Sequence, residues 1–470
     1  MSIDGRLVVR GAASLLAAGA LTVACSQMHQ VQVQDAARQK YTQGDYEGAV
    51  KVLEQAKEGK AFEPRDRVAY WMNLGMLDHY AKKYSDSNQV LEKAAQAADA
   101  LYTTSISTQA TTLLTNETMS DYQGENFERV LIHVVGALNY VEAGDLDNAR
   151  VEAVKTNEKL KYFRTQAGDK PLVFSQDAFA DWLTGVIYEM QGEPNEALIS
   201  YKAAAAAYRD VYAKNFQMQA PAFLGEDIVR TAKAVGGFDE DIAKAKAQFP
   251  NADGNTAALM KDHGEVVLLH ACGEAPAKKD FILSCYVGAK AGGLACDYTA
   301  GETGFEKVRS FTANGEVHKI AMPIFERRGH RIAHVRMSDE SQSADGVAVE
   351  PVTEIAIKDL ADRMHRTYAK SLARAATKMV AEGATKKLGG PGQLLGAALS
   401  IVNNVNEEAD KRSWSTLPSE FNVARLWVTP GEHDLALDFS DGAGRLVRHA
   451  TVHVKVAAGK RVIVTFPTVE

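Results

Sequence analysis

Recognisable catalytic motifs are what this chain of 470 residues most lacks. It has no G-x-x-x-x-G-K-[ST] loop, so nothing holds a nucleotide phosphate in the P-loop manner. No G-x-S-x-G elbow and no H-E-x-x-H helix occurs, which removes the serine-hydrolase and zinc-protease readings that those patterns carry. Cysteine is scarce, with four residues and no C-x-x-C pair, so a zinc ribbon is excluded. Positive charge is not in excess: 53 Lys and Arg stand against 60 Asp and Glu, for a net charge of −7. That balance gives no footing to a nucleic-acid-binding surface. No apolar run reaches the roughly 20 residues that span a bilayer. Scattered carboxylates can still meet in three dimensions as an acid–base pair, which leaves an enzyme of envelope polysaccharide or peptidoglycan as a rival reading.

What is present begins at the N-terminus. Leu15-Leu16-Ala17-Ala18-Gly19-Ala20-Leu21-Thr22-Val23-Ala24 runs into Cys25, with Arg6 and Arg10 ahead of it. A short apolar run behind positive charge, with small Ala24 before a cysteine, reads as a lipoprotein signal over residues 1–24. Cys25 is then the acylated first residue of the mature chain, carrying palmitate-type chains that hold it to a membrane. Ser26 follows, not the Asp of inner-membrane retention, so the expected place is the outer membrane, periplasmic face. Residues 25–34 form a polar tether.

Between residues 35 and 250 a helical repeat appears. Trp71-x-x-Leu74-Gly75 with Tyr84, Ser87, Leu91 and Ala94 falls on tetratricopeptide (TPR) spacing. Gly185, Tyr188, Gly192, Ala197, Tyr201 and Ala204 repeat it, and Gly44-Asp45-Tyr46-x-x-Ala49-x-x-x-Leu53 and Gly144-Asp145-Leu146-x-x-Ala149 give further second helices. Small residues at Gly75, Gly185, Ala49, Ala149 and Ala197 allow antiparallel helices to approach, while Tyr46, Tyr84, Leu53 and Tyr201 fill the gaps between pairs. The Gly-Asp turns end one helix and start the next. Stacked pairs predict a solenoid with a concave groove for a protein or peptide partner. Residues 95–127, with the Ser/Thr-rich Thr103–Thr108, read as an insertion.

The second half is mixed. Val266-Val267-Leu268-Leu269 suits a buried strand, and Val317–Ile320 and Arg331–Met337 read as strands in a β-rich segment 258–350. Residues 351–412 read as helical, from Ile357, Leu360, Ala361, Met364, Tyr368, Leu372 and Met379. Residues 413–470 alternate as strands around Leu435, Leu437 and Phe439, Val452–Val456 and Val462–Phe466, predicting an antiparallel sheet or sandwich. The fold class is therefore α+β multidomain: an N-terminal TPR-like α-solenoid, then a mixed region with antiparallel β-sheet and a long helix.

The remaining candidates have bland readings. His330 and His334, like His449 and His453, are four apart in strand-like sequence, roughly 13 Å, too far to share a metal. No metal and no cofactor are expected. The glycines from Gly292 to Gly304 form no phosphate loop. Lys358, Arg363, Arg366, Lys370, Arg374 and Lys378 give a basic face that packs on its own domain, with lipid contact as the alternative. Leu388–Val402 is too short to span. Cys272, Cys285 and Cys296 allow one disulfide in an oxidising compartment; Cys285 and Cys296 are the nearest pair, although spacing does not decide connectivity.

Tyr122-Gln123-Gly124-Glu125-Asn126-Phe127-Glu128-Arg129-Val130-Leu131-Ile132-His133, Gly264-Glu265-Val266-Val267-Leu268-Leu269 and Arg412-Ser413-Trp414-x-x-Leu417-Pro418 are similar to landmarks of an uncharacterised family of bacterial TPR-containing outer-membrane lipoproteins. After Leu269 the chain departs from that pattern with His270-Ala271-Cys272-Gly273-Glu274. The resemblance implies location and architecture, and work alongside other envelope lipoproteins, but no activity. The combined expectation is a non-catalytic, protein-binding adaptor or scaffold anchored through Cys25; a subunit of an envelope secretion or assembly complex is the alternative.

Overall fold

The computed structural model describes residues 32–107, 120–167, 175–287, 294–298, 317–363 and 409–469. Cys25, Arg366, Lys370, Arg374, Lys378 and Leu388–Val402 lie outside the described residues, as does most of Gly292–Gly304.

Five antiparallel helix pairs follow one another. They are α1 (32–42) with α2 (Tyr46–Glu58), α3 (Arg67–Tyr80) with α4 (Tyr84–Ser107), α5 (Asn126–Glu142) with α6 (Leu146–Ala167), and α7 (Ala178–Met190) with α8 (Pro194–Ala207). After a π-helical turn at Tyr208–Tyr212 and the short α9 (Ala213–Asn215), α10 (Ala222–Val235) pairs with α11 (Asp239–Gln248). The short α12 (Thr256–Asp262) leads into the sheets.

Local chemistry explains the pairing. Gly44, Gly144 and Gly192 take φ of 78°, 79° and 80° between paired helices, a conformation that costs glycine least. The carboxylates of Asp45 and Asp145 then accept from the amides of Gly48 and Asn148, at 2.9 and 3.1 Å, capping α2 and α6. The helices also touch where a side chain is missing. A Cβ on Gly75 would sit 2.6 Å from Leu91, on Gly185 2.5 Å from the Tyr201 ring, and on Gly225 2.3 Å from Phe249. Of the residues read as an insertion, Gln96–Ser107 prolong α4, while 108–119 lie outside the described residues.

Eleven described strands form three sheets. One has the order β11 (Arg461–Thr468), β1 (Gly264–Cys272), β8 (Glu420–Val428), β7 (Val347–Glu350). A second runs β10 (Leu446–Val456), β9 (Gly431–Ser440), β5 (His334–Ser338), β6 (Ser343–Asp345). The third is β3 (Leu294–Tyr298), β2 (Ala277–Val287), β4 (Val317–Glu326). The antiparallel expectation holds for most pairs, but β1 and β11 run parallel, Glu265 facing Arg461. A helix, α13 (352–363), follows β7.

The first sheet is the middle layer of the molecule. Alternation along β1 turns Val266 and Leu268 toward the second sheet, where they join Leu435, Leu437 and Phe439. Val267, Leu269 and Ala271 turn the other way and enter a core shared with α3, α5, α7 and α10. Coverage on both faces is why β1 is buried at every position. Helices and sheet share this one core. The open groove expected for a partner is corrected: α3, α5, α7 and α10 pack on the chain's own second half. Phe179 of α7 stacks on Phe421 of β8 with ring centroids 5.3 Å apart, and Asn73 of α3 accepts from Ser415 and Thr416. Apolar inward faces on both partners drive this closure, since each would otherwise expose its stripe to water.

Candidate functional site

Charges gather along the seam between helices and sheet. Glu265 points from β1 to the helical side, as do Arg425 of β8 and Arg461 of β11, because their register positions share one face with Val267. They meet Glu189 of α7 and Asp227 and Arg230 of α10. Arg425 gives both terminal nitrogens to Asp227 at 2.8 and 2.9 Å and its Nε to Glu265 at 2.5 Å. Arg461 bonds Glu265 at 2.5 Å and Glu189 at 3.1 Å, and Arg230 joins Glu189 to Asp227 at 2.7 and 2.6 Å. Three carboxylates face three guanidiniums, so the set is neutral. Burial opposes ionisation of Asp227, yet Arg425, Arg230 and Arg461 hold its carboxyl well below the usual range.

A second cluster sits at the start of α5. Glu125 and Glu128 form a capping box, Glu128 accepting the Glu125 amide at 2.8 Å. Glu128 also takes the Tyr122 hydroxyl and the Trp414 amide, both at 2.7 Å. Lys278 and Arg363 both bond Glu125. Burial and the Glu125 charge push Glu128 up to about 7, whereas Arg363 and Lys278 overcome burial and keep Glu125 low. Nearby, Arg412 bonds Asp410, Asp66 and the Ser120 carbonyl. The three sequence stretches that carried the family resemblance thus supply the seam: Tyr122–Arg129 meets Arg412–Pro418, and Glu265 anchors the sheet.

Open space lies at the margins of this seam. One cleft, about 530 Å³, is lined by Gln219, Phe223, Glu226, Gln248, Phe249, Arg425 and Trp427 among others. Its charges are already used. Glu226 accepts four donors at the start of α12, from Asp253, Gly254 and Thr256, and Arg425 lies over Phe223 at 5.0 Å while bonded to Asp227 and Glu265. What the cleft offers is aromatic surface and neutral amides. A second cleft, about 270 Å³, separates α1 and α3 from Lys278, Arg328 and Lys411. There Glu274 is held by Arg38, Arg328 and the Tyr41 hydroxyl. Carboxyls whose titration is pushed upward (Asp66, Asp78, Glu128, Asp177, Asp181, Glu350 and Asp359) line neither of these two clefts. Among the described residues no group of three His, Cys, Asp or Glu could hold a metal, and no helix is long and apolar enough to cross a membrane.

The repeat residues lie within the helix pairs. Ala49, Ala149, Ala197 and Tyr201 are wholly buried and Leu74 nearly so. Tyr46, Trp71, Tyr84 and Tyr188 are half-buried. Cys285 and Cys296 are direct register partners across β2 and β3. Cys272 is a free thiol, which burial pushes up to about 12. His449 and His453 reach Asp438 and Asp434, both at 2.7 Å, on an exposed face. The seam charges were missed in the sequence; their signal was an acid inside the apolar run of β1, and Asp227 with Arg230 one turn apart on a helix whose other residues are largely apolar.

No family model matches the chain, and no curated protein is similar to it. Among solved structures it is similar to the MamA protein, with 13% identity over 49% of this chain and 94% of that one, TM-score 0.30. The apo form of RapI gives 10% identity over 50% of this chain and 57% of that one, TM-score 0.35. A kinesin light chain from Podospora anserina with TPR-like repeats gives 17% over 49% and 97%, TM-score 0.31. At TM-scores this low the likeness carries no functional argument.

Proposed function

We propose that the chain is a lipid-anchored, non-catalytic protein adaptor of the bacterial envelope, held by acylated Cys25 at the periplasmic face of the outer membrane. The observation that supports it most is the state of the cleft at α10 and α11. Its ionisable groups are consumed internally, while Phe223, Phe249 and Trp427 offer apolar surface and Gln219 and Gln248 offer amides. Such a lining suits a segment of another protein better than a reaction needing free acids and bases. The partner therefore docks at the α10–α11 end of the helical stack, outside the filled concave side.

Photo-crosslinking in intact cells tests the reading. A photoreactive residue in place of Trp427 is expected to trap a discrete protein partner, and one in place of exposed Val151 on α6 is expected to trap none. Equal or absent capture at both positions would remove the adaptor. Mass spectrometry of the mature N-terminus tests the anchor separately, with an acylated Cys25 as the expected form.

A further inference from the structure

Two carboxyl groups lie in the seam with no cation bonded to them among the described residues. Asp177 precedes α7 and Glu350 ends β7; both are wholly buried. Asp177 Oδ1 accepts the Ala180 amide at 2.8 Å, and Glu350 Oε2 accepts the Tyr212 hydroxyl at 2.6 Å. The other oxygen of each, Asp177 Oδ2 and Glu350 Oε1, has no hydrogen-bond partner. Tyr208 spends its proton on the Val349 carbonyl at 2.9 Å, and Tyr212 spends its own on Glu350 while accepting the Ala178 amide at 3.2 Å. The Phe179 amide and the Tyr212 hydroxyl also face Asp177 and favour its charged form, yet among the described residues neither bonds Oδ2, and Glu350 Oε1 has no donor. The remaining described groups facing the pair are Asp181 of α7, which burial and then the Asp177 charge push up to about 7, and Arg164 of α6, which acts on Asp181 and donates to the Ser175 carbonyl at 3.2 Å. Both tyrosines come from the π-helical turn, whose extra residue per turn breaks the regular ladder, as such turns do at functional positions.

An ionised carboxylate with a bare oxygen and no counter-charge is among the costliest groups to bury, and it takes up a proton instead. We propose that Asp177 and Glu350 form a proton-binding latch joining α7 and α8 to β7 and α13, closed when protonated and loosened as pH rises. Burial, then the neighbouring acid, pushes Glu350 well above the usual carboxyl range, and burial moves Asp177 up to about 6. The direction follows: groups that titrate higher when folded give their full stabilisation below the ordinary carboxyl pKa of about 4, and lose it as pH climbs through the folded value. Opening the seam in that window releases a proton, so each linked group makes opening about tenfold easier per pH unit. The adaptor would then sense acidity where sheet and solenoid meet, whichever partner it serves.

Hydrogen exchange on the full mature chain, followed in residues 347–363 from pH 5 to pH 8, tests this with Glu350→Gln and Asp177→Asn. Gln and Asn keep the shape, and Asn also keeps the α7 cap. The ratio of wild-type to Glu350→Gln exchange is expected to rise about tenfold per pH unit above pH 5. Asp177→Asn is expected to give the same trend up to about pH 6, after which its ratio levels off. If Glu350→Gln fails to fold, Asp177→Asn alone carries the comparison. A ratio independent of pH in the variants that fold would overturn the latch. Because no partner enters the measurement, that outcome is distinct from failure of the adaptor reading.

Discussion

Replacing Asp227 by Asn removes one negative charge from the seam and leaves its outline intact. Asp227 accepts four side-chain hydrogen bonds: two from Arg425, one from Arg230 at 2.6 Å and one from Trp182 at 3.2 Å. Its loss leaves three guanidiniums against Glu189 and Glu265, with one buried positive charge uncompensated. Removing one member of a buried ion pair costs about 3–5 kcal/mol, mostly through the charge left behind. The assay is urea unfolding of the mature chain at pH 7, with Asp345→Asn as control. Asp345 pairs with Arg336 at 2.6 Å on an exposed face, where solvent screens the pair and the midpoint should barely move. Adding Arg425→Met to Asp227→Asn should cost less than the two changes measured apart, by about 0.5–3 kcal/mol, since both act on one network. Acid adds a signature. Asp227, Glu265 and Glu189 are all held low against burial by arginines, so their stabilisation is present above pH of about 4 and is lost as pH falls below it. An Asp227→Asn effect no larger than that of Asp345→Asn would refute a buried, welded seam.

Other expectations follow from single positions. Gly185→Ala forces a methyl into the Tyr201 ring and should cost about 1–3 kcal/mol in the same unfolding assay. Gly144→Ala meets no neighbour within 4 Å, so only its positive φ is penalised, at about 1 kcal/mol. Cys272 should label with a thiol reagent only after denaturation, because burial disfavours the reactive thiolate. Peptide mapping of protein made in an oxidising compartment should join Cys285 to Cys296, since direct antiparallel partners lie within disulfide reach.

The helical half was legible because its constraint is local. A missing Cβ at Gly75 or Gly185, a Gly-Asp turn and a large ring one helix later all fall within one repeat. The length of α4 was not legible: Thr103, Thr104 and Ser105 are poor helix formers, yet the helix runs through them. Strand positions such as Val266–Leu269 and Leu435–Phe439 were readable from alternation and apolar runs. The parallel pairing of β1 with β11 was not, because it joins residues far apart in sequence and no short window carries the signal. Filling of the concave side follows from that same long-range pairing. Its trace lay in charged residues at inward positions (Glu265, Arg425, Arg461), which pattern reading takes for solvent-facing ones. The lipid signal at Cys25 stands apart, since it falls outside the described residues.

The most direct measurement concerns that filled concave side. Ser415 donates to Asn73 across it at 3.0 Å, joining the segment before β8 to α3. With cysteines placed at both positions, oxidation of the folded protein should close a 73–415 disulfide, read as a linked peptide by mass spectrometry. A folded double variant that never forms this bond would contradict a solenoid occupied by its own sheet.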